Sequence, residues 1–60
     1  MLSIGNVVKI VNNTASKDLD KYLNIITIVT GIYDDDRTYK YRLLGTDDWS
    51  WKDSELLFIK

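Results

Sequence analysis

Two clusters of carboxylates, Asp34-Asp35-Asp36 and Asp47-Asp48, are the side chains of this sequence best able to move protons or hold a hard cation. Acid–base work on a glycosidic bond needs one of two carboxyls kept in a cleft with a raised pKa. A calcium loop needs alternating oxygen ligands and a glycine at its sharp turn. Neither pattern is met: the acids are adjacent, and no glycine falls inside either run. Asp favours turns because its side chain bonds nearby backbone. Both clusters therefore read as solvated turns. The chain contains no His and no Cys, so no Ser-His or Cys-His nucleophile pair can be built. The three glycines are scattered, at positions 5, 31 and 45, and make no phosphate loop. No catalytic residue, cofactor or metal site is expected, and the protein is not expected to be an enzyme.

Aromatic and basic side chains are the remaining chemistry. There are four Tyr, two Trp and one Phe in 60 residues. A small core needs bulky residues, and that need claims Tyr41, Trp51 and Phe58. Tyr33, Tyr39 and Trp49 are left as the aromatics expected at the surface, where an aromatic groove can receive an extended peptide. Lys40 and Arg42 alternate with Tyr39 and Tyr41, and they complete the candidate partner-binding surface: Tyr33, Tyr39, Trp49, Lys40 and Arg42. If Lys9 shares their face, a positive strip results. Bases beside aromatics are what a single-strand binding surface uses. The net charge of −1 supplies little of the counterion release that drives non-specific nucleic-acid binding.

The elements that must position these groups are strands. Val and Ile abound, Ala occurs once, and no long helix-forming stretch exists. Val7 to Val11 alternates; Lys9 turns its own face outward, so Val8 and Ile10 go inward. Asn12 to Asp20 reads as a long polar loop. Ser16 can cap one helical turn there, in a segment too polar to be a packed helix. Leu23 to Ile32 is the most apolar run. Ile26, Ile28 and Ile32 share one side and Ile25 and Val29 the other, with Ile28 assigned to the core. Gly31 marks a bulge or a sharp bend. Asp34 to Arg37 turns the chain, Thr38 to Leu44 is a half-exposed strand, and Gly45 to Asp48 turns again. Trp49 to Trp51 and Leu57 to Ile59 are short strands about a tight 3₁₀ turn at Lys52 to Leu56. Five strands in so short a chain bury a common interior only by curling into a barrel or a tight sandwich.

Four stretches carry a family likeness: Gly5-Asn6-Val7-Val8-Lys9-Ile10, Ile28-Val29-Thr30-Gly31-Ile32, Tyr41-Arg42-Leu43 and Trp51-Lys52-Asp53-Ser54-Glu55-Leu56. On these the chain resembles the small SH3-like proteins of bacteria and their phages, including prophage proteins of uncharacterised function. The likeness spans nearly the whole chain. It implies an all-β, SH3-like small barrel of about five antiparallel strands, with one 3₁₀ turn near the C-terminus, as a single domain over 1–60. One departure stands out: that group usually has glycines just before the central strand, where this chain has Leu23-Asn24-Ile25-Ile26. Asn24 can supply the left-handed conformation instead.

The function expected is a non-enzymatic module that binds another protein. A nucleic-acid-binding barrel and a structural subunit of a larger assembly are the alternatives. No run approaches the roughly 20 apolar residues of a membrane span. Met1-Leu2-Ser3-Ile4 lacks the basic and apolar regions of a signal peptide, and a cytoplasmic location is the expectation.

Overall fold

The computed structural model describes residues 1–60. Five strands form, β1 (Val7–Ile10), β2 (Ile26–Ile32), β3 (Tyr41–Leu43), β4 (Ser50–Trp51) and β5 (Leu56–Phe58), with 3₁₀ segments at Lys17–Tyr22 and Asp53–Glu55. All pairings are antiparallel. The strands make one sheet in the order β4-β3-β2-β1-β5. The all-β architecture expected from the sequence is present. The strands are shorter than their apolar runs, because the chain must turn where the side-chain pattern would still permit extension. Asn24 makes one such turn, with φ of 69°, and its N–H donates to the Ile10 carbonyl at 2.7 Å.

The register of β2 changes partway along. Val29 faces Leu43, yet Gly31 faces Arg42, leaving Thr30 as an extra residue. Of the bulge or sharp bend expected at Gly31, a bulge forms, with Thr30 next to the glycine as its extra residue. It reverses the parity of the strand. Val29 points inward with Leu43, and Ile32 points inward with Tyr41 although it lies three positions on. The bulge thus separates Ile32, which packs against the core, from Ile26 and Ile28, which do not.

Eight apolar residues form the core: Val8, Ile10, Leu19, Tyr22, Val29, Tyr41, Leu43 and Trp51. Trp51 is its largest member, and its indole N–H donates to the buried Thr46 hydroxyl at 3.2 Å. Tyr22 meets Trp51 edge-on, with ring centroids 6.1 Å apart.

Three expectations are corrected. Ile28, assigned to the core, is 39% exposed. It shares the side of β2 that lies opposite the buried Val29. Phe58, also assigned to the core, is 56% exposed; it sits on edge strand β5, which has β1 on one side only. The polar loop, read as unpacked, runs into the 3₁₀ segment Lys17–Tyr22, which sends Leu19 and Tyr22 into the core. Its cap is the expected one: the Ser16 side chain accepts from the Asp18 N–H at 3.2 Å.

Candidate functional site

Of the residues singled out for binding, Tyr33, Tyr39 and Arg42 are each engaged by a different neighbour. Tyr33 and Lys40 are joined across the β2–β3 connection, where the Tyr33 N–H donates to the Lys40 carbonyl at 2.9 Å. Tyr33 is covered by Arg37, whose guanidinium carbon lies 3.8 Å from the ring centroid. Asp35 in turn holds Arg37 with an ion pair of 2.8 Å. The hydrogen bonds from Arg37 keep the Asp35 carboxyl below its ordinary pKa. The central acid of the first cluster is thus engaged within its own turn.

Tyr39 faces the long loop instead. Thr14 Oγ1 donates its one proton to Glu55 Oε2 at 3.0 Å, so the Tyr39 hydroxyl, 3.0 Å from Thr14 Oγ1, must donate to Thr14 Oγ1. Glu55 is fully buried. Its carboxylate also accepts from the Thr14 N–H at 2.6 Å and from the Lys52 N–H at 3.0 Å. A buried charge is tolerable when it is hydrogen-bonded in this way. Lys52 Nζ stands 5.5 Å from the Tyr39 ring centroid. A shallow concavity of about 600 Å³ lies beside Tyr39, lined by Asp35, Arg37, Thr38 and Ser50; Tyr39 is the one expected site residue that it includes.

Arg42 points outward from β3 between the buried Tyr41 and Leu43. Its guanidinium donates to Asp48 Oδ1 at 3.0 Å, which neutralises it locally. Trp49 is 40% exposed, while Trp51 two residues on is fully buried. Lys9 lies opposite Ile26 and Arg42 lies opposite Gly31, five residues apart along β2. The positive strip of Lys9, Lys40 and Arg42 is therefore not formed.

What sequence reasoning missed is the outer side of the sheet. Val7 pairs with Ile28. Leu44 follows Leu43 in register and donates its N–H to the Ile28 carbonyl. Ile59 donates its N–H to the Val7 carbonyl. One apolar row, Leu44-Ile28-Val7-Ile59, thus crosses four strands or their immediate extensions. The next row is Ile26-Lys9-Leu57. Ile26, Ile28, Leu44, Leu57 and Ile59 are all exposed. Single exposed apolar residues are normal, but a contiguous exposed patch of this kind is not. A signal for it was present: Leu44 alternates with Lys40 and Arg42 on a face otherwise read as polar, and Lys9 fixes which way that face looks.

One polar atom is left over inside. The Tyr41 hydroxyl is buried without a well-formed hydrogen bond; burial first, and the nearby Asp53 carboxylate second, raise its pKa. No helix is long and apolar enough to cross a membrane. No protein-family model, curated protein or solved structure matches this chain.

Proposed function

We propose that the protein is a small non-enzymatic interaction module, an SH3-like barrel that docks another protein, and that it acts as a phage or prophage accessory protein on a bacterial host protein. The observation that carries this reading is the apolar outer face of the sheet. Burying it against a partner would remove from water the apolar area that folding alone leaves exposed. The SH3-like part is supported by the strand order β4-β3-β2-β1-β5 and by the 3₁₀ turn at Asp53–Glu55 ahead of the last strand. A cytoplasmic setting belongs to the same reading, and the cysteine-free composition is compatible with it.

The test is affinity capture from a bacterial lysate, with and without nuclease, beside a Leu44→Asp, Leu57→Ser double variant that melts like the parent. A protein retained after nuclease and lost from the double variant is the expected result. A catch that vanishes with nuclease would replace this reading with nucleic-acid binding. A catch indifferent to the double variant would remove the outer face from the reading.

A further inference from the structure

Lys9 is the one charged side chain within the apolar field of the outer face. Ile26 and Leu57 lie directly opposite it on the neighbouring strands, and Val7 and Val11 flank it two residues away on its own. It is half-buried. The two ion pairs of the molecule, Arg37–Asp35 and Arg42–Asp48, lie elsewhere, and Lys9 has no acidic partner. A lysine stem can lie along apolar neighbours while its ammonium stays in water. Covering the face would take that water away. An ammonium shut off from water without a carboxylate is strongly disfavoured. An occupant that also shuts the ammonium off from water must therefore bring a negative charge to Lys9.

The shape of the patch narrows the occupant further. β1 and β2 already have neighbours on both edges, so nothing can be added there as a strand, and the occupant must lie on the face as a second layer. Strands spaced about 4.8 Å apart make a four-strand row about 14 Å wide. From Val7 to Val11 the field runs about 13 Å along β1. A single α-helix, about 10–12 Å across, fits those dimensions, and about ten residues of it span them. A second copy of this chain fits less well. In a two-fold arrangement the patch meets itself, and since its rows hold Lys9 and no carboxylate, both ammoniums would be covered without an acidic partner.

Resting on the interaction-module reading, we infer that the outer face receives an amphipathic α-helix of the partner protein, with an apolar stripe over Ile26, Ile28, Leu44 and Leu57 and a carboxylate at Lys9. The pairing supplies orientation and selectivity, and the apolar rows supply contact area. It also sets a rule against wrong partners, because a helix with a basic residue at that place would meet like charge.

The experiment uses two synthetic amphipathic helical peptides with one leucine stripe, identical except for Glu or Lys at the centre of the stripe. Binding to the full chain is read by fluorescence anisotropy. The Glu peptide is expected to bind at least about tenfold more tightly, a difference of about 1.4 kcal/mol. Lys9→Glu should reverse the preference and Lys9→Gln should abolish it, each checked for a parental melt. Equal binding of both peptides, unmoved by Lys9→Glu, would overturn the inference. So would binding of neither peptide. Sedimentation of the protein with phosphatidylserine vesicles but with neither peptide would overturn it in favour of a lipid surface. A dimer abolished by Leu44→Asp would overturn it in favour of a second copy. The two readings fail separately: a lysate catch that needs the face but ignores the charge of Lys9 leaves the module standing and removes only the acidic helix.

Discussion

Along β2 the two sides of one strand reverse the usual hydropathy order. Thr27 and Val29 are buried, while Ile26 is 60% exposed and Ile28 lies beside it on the open side. The buried threonine is accommodated because its hydroxyl donates to the Leu44 carbonyl at 2.6 Å. The exposed isoleucines have no such constraint to meet. Alternation along a strand therefore fixes which residues share a side, but not which side faces the core. That choice is made by the partners: Val8 and Ile10 from β1, Tyr41 and Leu43 from β3, and Trp51 from β4 fill the interior. A chain of this size has no room for a second apolar row.

This contrast can be broken by substitution. Trp51→Ala should cost about 3–5 kcal/mol. In so small a domain each kcal/mol lowers Tm by about 4–8 °C, so little cooperative unfolding should remain in a thermal melt. Leu19→Ala should cost about 2–5 kcal/mol by urea titration; a loss below about 0.5 kcal/mol, typical of surface positions, would mean that the first 3₁₀ segment is not part of the core. Glu55→Ala strips the acceptor from the Thr14 and Lys52 N–H groups and should cost about 1–3 kcal/mol. Ile28→Ala should cost about 1 kcal/mol, since much of the side chain is in water already. A loss as large as that of Trp51→Ala would show that the outer side is core after all.

Two smaller effects sharpen the comparison. Tyr41→Phe removes a buried hydroxyl that has no well-formed hydrogen bond, so it should leave stability unchanged or raise it. Its consequence appears at high pH. Burial favours the neutral phenol, so the folded-state pKa lies above the unfolded value. The contribution of that proton is complete below about pH 10 and is lost as pH rises through the folded-state pKa. The alkaline fall in stability of the parent should be shallower in Tyr41→Phe. Asp35→Ala, in an exposed turn, should melt with the parent.

The strands, the irregularity at Gly31 and the left-handed Asn24 were legible in the sequence because each is a local consequence of residue type. Val8, Ile10, Tyr41 and Trp51 were legible as core through alternation and bulk. Ile28 and Phe58 were not, because their exposure depends on long-range pairing: Ile28 on which side of the sheet closes, and Phe58 on β5 lying at an edge. Leu19 and Tyr22 were hidden by their neighbours, since Lys17, Asp18, Asp20 and Lys21 make the segment look like a solvated loop. Of the candidate site, the individual side chains were readable. Their engagement was not, because Arg37, Thr14 and Asp48 contact Tyr33, Tyr39 and Arg42 one by one from different loops.

The carboxylate of Glu55 reaches back across 41 residues to Thr14. During synthesis the N-terminal part of a chain emerges first. The long loop, complete in sequence once Ile25 has been added, has no anchor for its Thr14 until the second 3₁₀ segment has been made. β1 waits likewise for β5, to which it is paired through Val8, Lys9 and Ile10. A nascent chain ending before Glu55 thus lacks both the clasp and one neighbour of β1, and its apolar rows stand open together. The fold can be completed only as a whole, after almost all of it has been translated.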